Sequence, residues 1–322
     1  MSRFDGRLAP IVVAARSGLT ESVHHGAGVA IDADRSVMSS IGDAGLVVYP
    51  RSCLKPMQAD AMVGLGLELH DELLAVACAS HDGSAMHLDA VRAILGRHGL
   101  TEADLANTPA RPSGAAARAE ARLAGVEPSS VQQNCSGKHA AMLATCVVNG
   151  WAIDGYLDAE HPLQVAITAA FEAGGAVVHH VGVDGCGAPT HALSLSDLAA
   201  SFAALAAPGS VVGRAMRTNP EMVAGPDRDV TGWMRAVPTL VAKEGAAGMM
   251  AVGLGDGRAA AFKIADGSDV ARRAVTAQAL RSIGLDLDTL CPDTVEQMSV
   301  PVFGHGQEVG RFDALEWVSW SS

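Results

Sequence analysis

Apolar and polar positions along the chain fall into three regimes. Near the N-terminus, IVVAA (11–15), VAI (29–31) and LVVY (46–49) are short Val/Ile-rich runs separated by Gly, Asp and Ser, a pattern that predicts strands joined by turns. From Lys55 to about residue 205 the stretches lengthen. MQADAMVGLGL, HLDAVRAILGRHG and HPLQVAITAAFEAGG carry helical spacing, and several of them end in Gly. After about residue 236, GMMAVGL (248–254), RAAAFKI (258–264) and VPVF (300–303) return to strand-like runs, with DG turns at 256–257 and 266–267 and one helix near 268–284. PARPSGAAARAEARLAG (109–125) reads as a loop entering a helix, not as a linker.

Strands at both ends of a helical middle predict an α/β chain of the α+β type, forming a single two-lobed domain over 1–322. The α/β lobe takes about 1–50 and 236–322, and the helix-rich lobe about 51–235. With 322 residues, 49% apolar and 18% charged, the chain can bury a sizeable core. Its longest uncharged apolar stretches, such as AAMLATCVV (140–148), are too short to span a bilayer, so a membrane is not an expected partner. The first twenty residues hold Arg3, Asp5, Arg7 and Arg16 and no continuous apolar segment, which makes the cytoplasm the expected location. A net charge of −12 without a Lys/Arg run repels phosphate backbones, and nucleic acid is not expected as a partner. Six cysteines in such a chain are expected to remain thiols, bind metal or do chemistry.

Only Lys55, Lys138, Lys243 and Lys263 supply lysine to the whole chain, which makes PRSCLKPMQ (50–58) conspicuous. Ser52 and Lys55 stand three apart and share a face of a helical turn, while Pro56 suits a first helical turn. A serine hydroxyl needs a base to become nucleophilic, and a desolvated lysine can be that base. ACASHDGSAMH (77–87) adds Ser80, His81, Asp82, Ser84 and His87 where an apolar run breaks into a turn. Ser80 or Asp82 can also be read there as the cap of a helix beginning near His87. Lys263 sits between apolar residues on a predicted strand, where an edge-strand lysine is the alternative.

NCSGKHAAMLATCVVNG (134–150) places Cys135 and Lys138 at a helix N-terminus, a position that stabilises a thiolate and disfavours an ammonium. A borderline cation such as Zn²⁺ shared by the thiolate and an unprotonated amine resolves both features, with Cys186 of DGCGAPTHA (184–192) as a second thiolate. SGKH is not a P-loop ending, because Gln132 stands where its first Gly belongs and His139 replaces Ser/Thr.

The series ESVHHG (21–26), RSCLKPMQ (51–58), CASHDGS (78–84), NCSGKHAAML (134–143), DGCGAPT (184–190), NPEMVAG (219–225), VAKEGAAG (241–248) and KIADG (263–267) resembles the rhizobial-type L-asparaginases, in order and across nearly the whole chain. That resemblance implies a fold like the serine β-lactamases and serine-lysine glutaminases, with a central, mostly antiparallel sheet flanked by helices beside a helical lobe. It implies hydrolysis of L-asparagine to L-aspartate and ammonia, with Ser52–Lys55 and Ser80–Lys263 as two Ser–Lys tandems. It further implies zinc on Cys135, Lys138 and Cys186, and a homodimer. Two positions depart from the family pattern: Cys53 replaces the usual Ala, and Ser84 replaces a frequent Glu.

The expected chemistry is attack by Ser52, deprotonated by Lys55, with Ser80 and Lys263 relaying protons. Arg51 and His139 adjoin the motifs as candidate binders of substrate, and Asp184 as a partner of the metal ligands. Both lysines act as bases only when neutral, so activity is expected to rise toward alkaline pH. The rival readings are a penicillin-interacting hydrolase, which shares S-x-x-K but also needs S-D-N and K-T-G, and a catalytically silent, zinc-dependent amino-acid-binding protein.

Overall fold

Most of the Val/Ile-rich runs at both ends of the chain form strands of one large sheet, while LVVY supplies Val47–Val48 to a small second sheet. A computed structural model describes residues 7–319, so residues 1–6 of the segment read above for a leader lie outside the described residues. The strands are β1 (Ala9–Arg16), β2 (Leu19–Ile31), β3 (Val37–Ile41), β4 (Val47–Val48), β5 (His180–Val183), β6 (Pro189–Ser194), β7 (Val241–Gly245), β8 (Met249–Gly253), β9 (Ala259–Ile264), β10 (Pro301–Gly304), β11 (Gln307–Ala314) and β12 (Val318–Ser319). The main helices are α1 (Lys55–Gly64), α2 (Asp71–Ala77), α3 (Ala85–Arg97), α4 (Ala115–Leu123), α5 (Ser136–Val148), α6 (Pro162–Ala173), α7 (Leu195–Ala206), α8 (Val211–Thr218), α9 (Pro220–Val223), α10 (Asp229–Ala236) and α11 (Asp269–Ser282). The chain divides into two compact units, one of Met1–Cys53, Leu193–Ala207 and Gly232–Ser322, the other of Leu54–Ala192 and Pro208–Thr231.

In the first unit the strands run β10-β11-β1-β2-β9-β8-β7, with β3 pairing β2 and β12 pairing β3, every pair antiparallel. The sheet is the mixed α/β architecture that the strand–helix–strand pattern predicts. Strands β7 and β8 are buried at every residue and β9 at every residue but Lys263, because helices α7 and α11 pack on the sheet. That explains why GMMAVGL and RAAAFKI are nearly continuous apolar runs instead of alternating ones. Helix α7 lies within the span read as helix-rich, yet it clusters with the sheet.

The second unit is mostly helical and centred on α5, whose residues 136–146 are all buried. A helix apolar on every side belongs in a core, and α5 is packed by α1, α2, α3 and α6. Full burial of Met142 and Leu143 contributes about 1.5–3 kcal/mol each. Closest approach comes at Gly137, where an added Cβ would lie 2.1 Å from the Val76 carbonyl oxygen of α2. Glycine in the first turn of α5 thus lets two backbones touch, and it sets Cys135 and Lys138 against the residues that follow α2. At its far end α5 stops at Asn149, followed by Gly150 at φ +66°, as the Asn-Gly pair predicts.

The β5–β6 hairpin interrupts the predicted helical middle and forms, with β4, the small second sheet, ordered β4-β6-β5. Its connecting turn carries Cys186, with Asp184 N donating to Ala188 O at 2.9 Å. Among the described residues no single helix is long and apolar enough to cross a membrane.

Candidate active site

Three short segments of the second unit converge on the start of α5. Lys55 opens α1 with Pro56 directly behind it, where the missing N–H of proline costs least. Its side chain is 1% exposed and donates to the Ala79 carbonyl at 2.6 Å and to Ser80 Oγ at 3.0 Å. Ser80 is itself buried. The segment that carries it is extended: Ser80 N donates to Val223 O at 3.0 Å, His81 N to Asn134 O at 3.2 Å and Asp82 N to Ala224 O at 2.7 Å. Within this unit the hydroxyl that Lys55 meets is therefore that of Ser80.

Ser52 is half-buried in the 3₁₀ turn Arg51–Leu54, which runs directly into α1. The preceding Arg51 has φ +55°, a left-handed conformation that costs a residue with a Cβ about 1–2 kcal/mol. Below the turn the Cys53 thiol donates to the Lys243 carbonyl at 3.1 Å, and burial pushes that thiol up to about 12. Cys53 is thus a buried packing group with no thiolate chemistry at neutral pH. Lys263 lies on β9 between β2 and β8, which removes the edge-strand reading. Its ammonium donates to the carbonyls of Ala247 and Ile264, both at 2.5 Å, and burial lowers it from the ordinary lysine range against the opposing pull of Asp266.

Cys135, Lys138 and Cys186 are brought together and buried, at 5%, 2% and 2% exposure, with Ala188 and Leu157 packed around the sulfurs. Lys138 Nζ lies 3.2 Å from Cys186 Sγ. The two thiols titrate as a pair. A hydrogen bond with Cys186 lowers Cys135 well below a free thiol despite its burial, and Lys55 and Lys138 add to the effect; the same bond and burial raise Cys186. Burial pushes Lys138 down, but the charges of Cys186 and Cys135 outweigh it and leave it raised, with Asp184 adding to the same effect. The three groups thus bias one another, Cys135 toward thiolate and Lys138 toward ammonium. Because Cys135 also feels the Lys55 charge, the sulfur cluster and the Lys55–Ser80 pair form one electrostatic unit.

Histidines line the same core. His139, fully buried, shares a hydrogen bond from Nδ1 with the Tyr156 hydroxyl at 2.9 Å, and its Nε2 has no hydrogen-bond partner among the described residues. Burial first, and then the Lys138 charge, lower its pKa to about 4. His81 Nε2 meets Ser136 Oγ at 2.8 Å, and its ring stacks on His87 at 5.1 Å. Burial, with the charges of His87 and Lys55, holds His81 well below the usual histidine range. Asp82 pairs with Arg228 at 3.2 Å, so neither it nor Ser80 caps α3; the residue at that cap is Ser84, whose Oγ bonds His87 Nδ1 at 2.9 Å. Tyr156 and Arg228 escaped the sequence reading, since neither stands in a motif with a spacing rule.

Chemically, the arrangement offers a buried amine on a hydroxyl beside a pair of thiols and a second amine. Among the described residues no group of three or more His, Cys, Asp or Glu side chains can hold a metal ion, and the cluster here has two sulfurs and a lysine. A comparison with curated proteins finds no match. The model of the L-asparaginase II family matches residues 12–314, and the chain belongs to that family of amidohydrolases.

Proposed function

We propose that the protein hydrolyses the side-chain amide of L-asparagine to L-aspartate and ammonia through an acyl-enzyme on Ser52. The observation that carries this reading is the buried contact of Lys55 Nζ with Ser80 Oγ at 3.0 Å. An amine in that place, once neutral, is a base one helical turn after a serine and already bonded to another. The left-handed Arg51 before Ser52 is the kind of local strain that presents a nucleophile, and Ser52 is the more exposed of the two serines.

In this mechanism Ser52 Oγ bonds to the carboxamide carbon while its proton passes to Lys55. The carbon–nitrogen bond then breaks, and the proton moves from Lys55 through Ser80 to the departing nitrogen, which leaves as ammonia. Water attacks the aspartyl ester, Lys55 again accepts the proton, and Ser52 recovers it as aspartate leaves. Lys263, lowered by burial, is the second amine of the family pattern and shares the deacylation step. Arg51 and His139 bind the substrate.

Cys135, Lys138 and Cys186 fit zinc. Lys138 Nζ lies 3.2 Å from Cys186 Sγ, and both sulfurs sit in one buried cluster with apolar side chains around them, a soft, enclosed donor set. Cys135, Lys138 and Cys186 would hold the ion, which would supply positive charge there, and Asp184 would support the ligands. The active form is a cytoplasmic homodimer.

Ammonia release from asparagine and glutamine, amino-acid release from β-aspartyl peptides and the colour change of nitrocefin test the reading. Release from asparagine supports it. Turnover of nitrocefin alone points to a penicillin-interacting enzyme, and asparagine binding without ammonia points to a silent binding protein.

A further inference from the structure

Asp82 has a seat out of proportion to its contribution to stability. Its carboxylate pairs with Arg228 Nη1 at 3.2 Å, with side chains 17% and 34% exposed, a solvent-screened pair of the kind that adds little to folding. Yet glycines from two separate segments make room for it. A Cβ on Gly225 would stand 1.9 Å from Asp82 Oδ2, and one on Gly114 would stand 2.8 Å from Asp82 Cβ. Each glycine costs backbone entropy on folding. The main chain is held as well: Asp82 N donates to Ala224 O at 2.7 Å, Asp82 O accepts from Gly114 N at 2.9 Å, and Ser113 Oγ donates to His81 O at 2.7 Å. Ser80 N donates to Val223 O at 3.0 Å, to the same neighbouring segment as Asp82 N, while His81 N turns the other way to Asn134 O. In this extended segment Ser80 and Asp82 are thus alternate residues with the same facing, so a shift of one carries the other.

From this geometry we infer that Asp82 is a positioning residue. Seated between Gly114 and Gly225 and tied to Arg228, it fixes the segment so that the Ser80 hydroxyl meets Lys55. The inference rests on the reading of Ser80 as a catalytic hydroxyl. A displacement on the order of 1 Å at such a group costs about 100-fold in turnover.

The test is steady-state ammonia release from L-asparagine by the full-length protein, with thermal unfolding recorded on each variant. Asp82→Ala and Arg228→Ala are each expected to lower kcat by about 100-fold, with KM within about threefold and Tm nearly unchanged. The double variant should be no worse than either single one, and Arg228→Lys, which keeps a cation at the carboxylate, should recover most of the loss. Should Asp82→Ala fail to fold, Asp82→Asn keeps the shape of the side chain and decides by the same kcat and KM. Wild-type kcat in the Asp82 variants, or losses that follow Tm and that Arg228→Lys leaves unrepaired, overturns the assignment. Ser80→Ala, run in parallel, separates the two levels. Wild-type turnover by that variant refutes the role of Ser80 itself, whereas an inactive Ser80→Ala beside fully active Asp82 variants refutes only the role of Asp82.

Discussion

Replacing Lys55 by Met isolates the amine on which the mechanism depends. Methionine keeps an unbranched side chain of similar length in a site 1% exposed, so packing is largely retained. The loss of a general base costs about 100- to 10,000-fold in kcat, or about 3–5 kcal/mol of transition-state stabilisation. Stability moves much less, because two effects oppose. The Ala79 carbonyl, bonded at 2.6 Å, loses its donor at a cost of about 1–3 kcal/mol, and Ser80 loses a partner. Against this, the buried ammonium no longer has to leave water, a saving of several kcal/mol in the unpaired case. The net change is expected within about 2 kcal/mol, a Tm shift of about 5 °C or less in a chain this long. Ammonia release and thermal unfolding on the same preparation read both quantities. Turnover within tenfold of wild type, or a loss explained by a collapse in Tm, refutes the assignment of Lys55 as base.

Other expectations follow from the same core. Gly137→Ala separates two opposite signs: helix propensity alone would stabilise α5 by about 1 kcal/mol, whereas the contact at 2.1 Å with Val76 O predicts a loss of about 1–3 kcal/mol in urea unfolding. His191, buried against Phe171 and bonded to Thr168 Oγ1 at 2.7 Å, is lowered by burial from 6.5 to about 4. The unfolded chain therefore binds the extra proton, and stability falls as pH drops from about 6.5 to 4 by about 3 kcal/mol for this group and returns above 6.5. His191→Gln should lose that part of the slope, and equal slopes would refute it. Zinc uptake near neutral pH should release protons, since thiols and an amine ligate a metal only when deprotonated. Calorimetry in buffers of different ionisation enthalpy counts them, and a count of zero contradicts the ligand set.

Much of the fold was legible because its strands and helices carry their own punctuation. GMMAVGL and RAAAFKI flank a DG turn and became β8 and β9, and the Asn-Gly after α5 ended that helix. The β5–β6 hairpin was not legible, because HVGV is half or fully exposed and follows neither period of two nor a continuous apolar run. Strand β11, QEVGRFDA, is polar for the same reason and lies where the sheet is only partly covered. At the site, residue types were readable and partners were not. The i, i+3 rule offers Ser52 to Lys55 but carries no information on contacts to a segment distant in sequence. The hydroxyl Lys55 meets, Ser80, lies 25 residues away. Convergence of Cys135, Lys138 and Cys186 was foreseen from helix-terminus electrostatics together with the family resemblance, whereas Arg228 meets Asp82 across 146 residues with no local signal.

The most direct test of the mechanism is to quench the enzyme during turnover of L-asparagine and map the aspartyl ester by peptide mass spectrometry. The ester is expected on the peptide that contains Ser52, and it should be absent from Lys55→Met treated in the same way. An ester on Ser80, or ammonia released at full rate with no serine modified, would contradict it.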